Sequence, residues 1–433
     1  MTATFLGFCL IGLLFLLLFL RVSIWIGLLV TGVLGNIILN SLGVALSVTG
    51  ANTFDSASNY GLSVVPLFIL MGDVASGSRL SSELFQAARV ILSGVRGGLA
   101  IAAIGASGAF GAVCGSSIAT AATMTRIAIP EMRKANYEDG FAASSVAAGG
   151  SLGILIPPSI ILVIYGAIAE QSVQNLFAAA FIPGIVLLVL YILIAIWIAN
   201  RNPEKAPADP AASFLDRLKA LREPWQFIVL FIVTIGGIYA GIFSPNEAAA
   251  IGAFGAIVLG FLGRRLTMAQ LVRCFRTSVI TSCALFMIVI AANLFSNFVV
   301  QTQLPDVLLS AAHAAGFAPW GIMVTIIAVY ILLGCFLEGI GMVLITVPVF
   351  LPVVTGYGYN PVWFAIIVVI VVELGLIHPP VGMNLFVIQA QLPDVRIGQM
   401  YRGILPFLVA PFALILLLFL FPQLALWLPS VLY

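Results

Sequence analysis

Gly153-Ile-Leu-Ile-Pro-Pro-Ser159 and Gly375-Leu-Ile-His-Pro-Pro-Val381 decide how this chain is read. Each lies inside a long apolar stretch, about 140–169 and about 362–391, and sets two prolines where a helix would otherwise continue. Proline has no N–H. Pro157 and Pro158 therefore deprive the carbonyls of Gly153 and Ile154 of their helical donors, and Pro379 and Pro380 do the same to Gly375 and Leu376. The residue before each pair, Ile156 or His378, is also pushed out of helical geometry. A bare carbonyl in lipid costs several kcal/mol, so such breaks persist only where they face a cavity. Free carbonyls at a helix C-terminal end suit a hard cation such as Na⁺. A simple proline kink accounts equally well for one pair. Two pairs at matching positions favour an ion or substrate site.

Lipid is the solvent around these breaks. Of 433 residues, 62% are hydrophobic and 8% charged, against roughly a quarter charged in a soluble domain. A soluble fold of this length has too much surface for so few charges. Apolar runs of about 20 residues, enough to cross a bilayer, recur along the chain. The fold class is therefore an all-α polytopic membrane protein. No basic residue precedes the apolar run Phe5–Leu20 and no small-residue cleavage site follows it, so a retained first helix is expected there, with no soluble domain at either end. The net charge of +2 and the lack of a basic tract offer nothing to a nucleic acid. Cys9, Cys114, Cys274, Cys283 and Cys335 are scattered without metal-ligand spacing and read as free thiols. An enzyme is disfavoured, since there is no H-E-x-x-H, no G-x-S-x-G and no close acidic pair.

Basic residues should gather on the cytoplasmic side. With the N-terminus outside, a first span ends at Arg21, a second runs out to a base-free loop at 51–60, and a third returns through Val64–Val74 to Arg79. Leu80–Arg96 is amphipathic and fits the interface. Residues 97–125 are flanked by bases at both ends. Two legs of about 14 residues reach about 21 Å at 1.5 Å per residue, short of the ~30 Å core, so a re-entrant hairpin opening inward is expected. Then 140–169 goes out, Phe177–Ala199 returns, and 200–224 is a cytoplasmic linker. Trp225–Phe243 goes out, Glu247–Leu262 returns, an amphipathic piece holds Arg273 and Arg276, and Ser278–Phe298 goes out. A second hairpin, 320–355, opens outward, 362–391 returns, and Ile404–Leu428 ends outside. This path puts all 18 Lys and Arg residues inside and both termini outside.

The halves 1–199 and 225–433 echo each other. Gly115 precedes Pro157 by 42 positions (157 − 115) and Gly339 precedes Pro379 by 40 (379 − 339). Hairpins of opposite opening, each with a broken helix, make an inverted-topology repeat, an arrangement common in transporters. The turns Gly115-Ser116-Ser117 and Glu338-Gly339-Ile340-Gly341 bring small residues and hydroxyls to the breaks, although close helix packing also favours small residues. Ionisable residues in apolar surroundings default to functional candidates. Asp73 is expected to pair with Arg79. Glu338 and His378 fall at the second break, and Glu373 is open between packing and function.

At these residues the chain resembles the large membrane subunit of the TRAP (tripartite ATP-independent periplasmic) transporters. The matching stretches are Gly115-Ser-Ser-Ile-Ala-Thr-Ala-Ala, Ile129-Pro-Glu-Met, Ile156-Pro-Pro-Ser, Ser172 to Phe177, Ser244-Pro-Asn-Glu-Ala-Ala-Ala and Gly375-Leu-Ile-His-Pro-Pro-Val-Gly-Met-Asn-Leu-Phe, in family order. The resemblance implies an elevator-type transporter without a cofactor. It implies Na⁺-coupled uptake of an organic acid across a bacterial or archaeal cytoplasmic membrane. The implied partners are a small four-helix membrane subunit and an extracytoplasmic substrate-binding protein. It places Na⁺ on Gly115, Ser116, Ser117 and Gly153 in one half, and on Gly334, Gly375, His378 and Val381 in the other. Thr120, Ser159, Glu338, Gly341 and Asn384 are the candidates for the substrate cavity. The family's usual threonine is His378 here, and Glu338 stands where aspartate is frequent. A proton-coupled carrier using Glu338, Glu373 and His378 is the nearest alternative, and a channel or structural subunit the more distant one.

Overall fold

The computed structural model describes residues 3–433, and among them every regular element is helical. The first half runs α1 (Ala3–Phe19), α2 (Ile24–Leu39), α3 (Leu42–Ser58), α4 (Val64–Gly77) and α5 (Leu80–Ile91). A hairpin of α6 (Gly98–Cys114) and α7 (Ser117–Lys134) follows, then a helix broken into α8 (Asp139–Ser151) and α9 (Ile160–Ile168), then α10 (Val173–Arg201). The linker carries α11 (Phe214–Ala220). The second half opens with α12 (Trp225–Phe231), which passes through a π-turn at Ile232–Gly236 into α13 (Gly237–Tyr239). It continues with α14 (Pro245–Leu262), α15 (Met268–Gln301) and α16 (Leu304–Ala314). A second hairpin of α17 (Pro319–Gly334) and α18 (Gly339–Gly356) precedes a second broken helix, α19 (Pro361–Ile377) and α20 (Met383–Gln389). The chain closes with α21 (Ile397–Ile404), α22 (Val409–Leu420) and α23 (Gln423–Leu432).

Among the described residues, six helices are long and apolar enough to cross a bilayer, seven if the bent pair from Phe214 to Tyr239 is one span. The centre belongs to the broken helices. Every residue of α8 from Gly140 to Ser151 is buried, as is every residue of α19 from Trp363 to Ile377. A helix apolar on all sides needs neighbours on all sides, and the hairpins supply them: α6 and α7 pack on α8, and α17 and α18 on α19. Around this centre α2 runs along α15 and α14 along α4.

Several expected boundaries move. The loop at 51–60 shrinks because α3 continues to Ser58. Its hydroxyls find partners four residues back, Thr49 on Ala45 O, Thr53 on Thr49 O and Ser58 on Phe54 O, so polarity does not stop the helix. The first hairpin's outgoing leg passes 125 and ends at Lys134, since its charged end lies among ion-pair partners. The piece bearing Arg273 and Arg276 is no separate element. A capping box at Thr267 and Gln270 starts one 34-residue helix that includes it. The last span covers Ile397–Leu420 and not Ile404–Leu428. Asp73 does not pair with Arg79. Its Oδ2 accepts a hydrogen bond from Ser278 Oγ at 2.8 Å, across from α15.

Ion pairs gather the segments expected on the cytoplasmic side. Arg89 holds Glu131 and Asp209, Arg133 holds Asp139 and Asp394 at 2.7 Å each, Lys205 holds Glu138 at 2.9 Å, and Arg265 holds Glu83. Each pair is partly exposed, so each adds little stability singly. Together they tie α5, the base of the first hairpin and the linker at one end of the molecule.

Candidate ion and substrate site

The first hairpin turns at Gly115, whose φ of +65° suits glycine. Ser116 then caps α7, its Oγ accepting Ala119 N. The tip meets the first break through backbone. A Cβ on Gly111 would fall 2.5 Å from Gly153 Cα, and one on Gly115 would fall 3.1 Å from Pro158 O. Only glycine permits that approach. A Cβ on Gly153 would in turn lie 3.1 Å from Thr120 Oγ1 and 3.2 Å from Ser116 O. Thr120 is fully buried, and its hydroxyl approaches the Cys114 thiol without completing a hydrogen bond. Gly115, Ser116, Ser117 and Gly153 are thus brought together with Thr120 among them.

The second half repeats this contact. A Cβ on Gly334 would fall 2.9 Å from Gly375 Cα, and one on Gly375 would fall 2.8 Å from Gly334 Cα and 3.3 Å from Gly334 O. Gly111 precedes Gly153 by 42 positions and Gly334 precedes Gly375 by 41. His378 ends α19, its N–H donating to Leu374 O at 2.8 Å, and its Nδ1 is buried without a partner. The carbonyls of Pro380 and Val381 accept the Tyr401 hydroxyl, the latter at 3.2 Å, so Val381 is already engaged. The Pro157–Pro158 and Pro379–Pro380 peptide bonds are both cis.

The first site therefore joins the C-terminal ends of α6 and α8 with the N-terminal starts of α7 and α9, and in the second the C-terminal ends of α17 and α19 meet. C-terminal carbonyls carry partial negative charge and N-terminal amides partial positive charge. A hard cation fits the carbonyls and a carboxylate the amides. The donor set fits Na⁺, with backbone carbonyls and one unpartnered hydroxyl in a buried cradle. One freed carbonyl is not available as expected, because Ser159 Oγ donates to Ile154 O at 2.5 Å.

The two sites touch. Asn384 Nδ2, from the second residue of α20, donates to Ser117 Oγ at 2.7 Å, and Gln391 Nε2 reaches Ala122 O at 3.2 Å. The second hairpin packs on α9, where Gly339 lies against Ile161. Between the tips, Gly115, Ser116, Ser117, Glu338, Gly339 and Ile340 line a cavity of about 70 Å³, room for a few waters. Of the five cavity candidates only Glu338 faces it. Thr120 belongs to the first ion cradle, Ser159 caps α9, and Asn384 is the cross-link. Gly341 packs against Ile24 of α2, away from the cavity. Glu373 is fully buried and approaches the Leu155 backbone in the first break, with neither oxygen completing a hydrogen bond. Sequence reasoning missed Gly111. The signal was there, because Gly111 and Gly334 each stand four residues before the tip residues Gly115 and Glu338.

Comparison with known proteins converges on one family. A family model described as "Tripartite ATP-independent periplasmic transporter, DctM component" matches residues 11–424. A C4-dicarboxylate TRAP transporter large permease of Pseudomonas aeruginosa is 35% identical over 378 residues, 87% of this chain and 88% of that protein. A sialic acid TRAP large permease of Vibrio cholerae is 30% identical over 395 residues, 91% of each. An ectoine/5-hydroxyectoine TRAP large permease of Ruegeria pomeroyi is 33% identical over 369 residues, 85% of each. Among solved structures, the Alcanivorax borkumensis YdaH transporter superposes with a TM-score of 0.60 at 14% identity, covering 90% of this chain and 88% of that one. Neisseria gonorrhoeae MtrF superposes with a TM-score of 0.58 at 17% identity, covering 92% and 94%. At those identities the likeness concerns the fold.

Proposed function

Because the chain belongs to the DctM family, the large permease component of the tripartite ATP-independent periplasmic transporters, we propose that it imports an organic acid into the cell against its gradient by coupling to Na⁺. It is a transport protein and not an enzyme. In this reading it sits in the cytoplasmic (inner) membrane of a bacterium or archaeon, with both termini outside. It works with a small four-helix membrane subunit and with an extracytoplasmic protein that delivers the substrate.

The observation that carries the reading is the paired cradle. In each half a glycine–glycine contact seats a hairpin against a helix break, and in the first half it leaves the Thr120 hydroxyl beside the carbonyl of Ser116. Na⁺ there would offset the partial negative charge of the helix C-terminal ends and hold the tip on the break. The N-terminal starts of α7 and α9, at the same place, then favour a carboxylate. The hairpins and broken helices would move together in an elevator step relative to α1–α4 and α12–α15, since the Asn384–Ser117 bond joins the two sites. The relatives' substrates range from a dicarboxylate to sialic acid and ectoine, so the cavity side chains and the binding protein together select the acid.

One observation favours a proton as second coupling ion. Glu373 is buried at the first break without a completed hydrogen bond, where an ionised carboxyl is costly. Uptake of radiolabelled organic acids into proteoliposomes, with Na⁺ and H⁺ gradients set independently and each partner omitted in turn, separates the readings. Accumulation that needs Na⁺ and the binding protein is the expected result. Accumulation on a proton gradient alone would shift the coupling to Glu373 and His378. Accumulation with neither gradient and neither partner would refute the proposal.

A further inference from the structure

A second cavity lies at the end of the molecule where the ion pairs gather, far from the hairpin tips. It has a volume of about 340 Å³ and sits between the ends of α10 and α21, lined by Trp197, Asn202, Lys205, Gln399 and Arg402 and by the carboxylate of Glu138. Lys205 is paired with Glu138 at 2.9 Å. Arg402 is exposed, and among the described residues no carboxylate lies within ion-pair distance of it. Arg201, the last residue of α10, has its guanidinium 5.5 Å from the Trp197 ring centroid and likewise holds no carboxylate. The net charge beside the cavity is positive, supplied by two arginines with free donors.

Two apolar stripes lead up to it. On α10, Ile185, Val189, Leu193 and Trp197 follow one another at intervals of four and are 41–55% exposed. On the adjoining helix, Leu405, Val409, Phe412 and Leu416 are 44–61% exposed. Helix α10 packs against α22, so the two stripes lie on adjoining parts of the surface. Exposed apolar stripes, a tryptophan and unpaired guanidinium groups beside a polar cavity match one kind of molecule. Acyl chains fit the stripes, and a phosphate fits the arginines.

We propose that this cavity binds the headgroup of an anionic phospholipid, with Arg402 and Arg201 on the phosphate and the acyl chains along the two stripes. Lys205, already held by Glu138, sets the floor. The lipid would grip the α8–α10 and α21–α22 side of the bundle at the membrane surface.

The test is native mass spectrometry of the full-length chain in detergent micelles, titrated with dioleoyl phosphatidylglycerol or dioleoyl phosphatidylcholine. The expected result is retention of phosphatidylglycerol over phosphatidylcholine. The variant R201Q/R402Q should weaken that retention by about fivefold for each arginine removed, since a basic residue near a lipid surface contributes on the order of 1 kcal/mol. R201K/R402K should keep most of it, and so should R222Q, which removes an exposed base from the linker outside the cavity. Equal retention of both lipids, no loss in R201Q/R402Q, or the same loss in R222Q would each overturn the assignment. Displacement by millimolar inorganic phosphate would also overturn it, because the site would then take a free anion and not a lipid.

Discussion

Replacing Thr120 by valine separates an ion ligand from a packing residue. The two side chains have the same shape, and the position is fully buried. In the structure the hydroxyl satisfies no partner, and a buried unsatisfied group costs about 1–3 kcal/mol. Without Na⁺, T120V should therefore be as stable as the wild type or up to about that much more stable. With Na⁺ the order should reverse. A contact from a polar group to a charge contributes about 1.5–3 kcal/mol, so losing it should weaken Na⁺ binding by roughly 10- to 150-fold at 1.4 kcal/mol per decade. At a concentration about 100 times the wild-type dissociation constant, Na⁺ stabilises the wild type by about 2.7 kcal/mol. A variant weakened about 30-fold would gain only about 0.9 kcal/mol by the same relation. Thermal unfolding in matched Na⁺ and choline chloride series, followed by intrinsic tryptophan fluorescence, reads both numbers. If T120V loses more than about 1 kcal/mol in choline and keeps the wild-type Na⁺ response, Thr120 is a packing residue and the first cradle does not use its hydroxyl.

The glycine contacts give a graded series. G375A sets a Cβ 2.8 Å from Gly334 Cα and should cost about 1–3 kcal/mol and abolish uptake, whereas G105A meets nothing within 4 Å inside α6 and should be neutral or stabilise by up to about 1 kcal/mol. N384A removes the buried 2.7 Å bond to Ser117; a loss of about 1–3 kcal/mol and faster hydrogen exchange at 115–120 are expected. At the other end of the first hairpin, the Lys134 hydrogen bond and then Arg89 hold the Glu131 carboxyl below its usual range. A lowered folded value means its stabilisation is present above the unfolded value and is lost as pH falls through the folded one. E131Q should thus flatten the acid limb of the stability–pH curve below about pH 4.3 and change stability at neutral pH by less than about 1 kcal/mol, since the pair is partly exposed. Unchanged acid unfolding in E131Q would show that the pair contributes nothing.

Much of this architecture follows from local chemistry. The prolines at 157–158 and 379–380 interrupt their helices wherever the chain goes, because a missing N–H and a ring clash act within four residues. The legs Pro319–Gly334 and Gly339–Gly356 turn at a short segment between apolar helices, and a small-residue turn between apolar legs is also a local signal. Errors fell where a polar or charged residue was taken as a helix end. Thr53 and Ser58 stay helical by bonding back to the carbonyls four residues before them, and Arg126 lies inside α7.

Assembly between segments is another matter. Nothing in the 73–79 stretch says that Asp73 meets Ser278, 205 positions away, in preference to Arg79. Nothing near Asn384 names Ser117 as its partner, 267 positions off, and the interior of Gly341 is Ile24 and not the cavity. Composition, proline chemistry and apolar length fixed by themselves that this is a helical membrane protein with two broken helices and two hairpins. Only the tertiary structure decided that Gly111 meets Gly153, that Gly334 meets Gly375 and that Thr120 is left without a partner between them. Helix breaks are determined within one turn of chain, whereas the approach of two glycines 42 residues apart depends on how every helix between them packs.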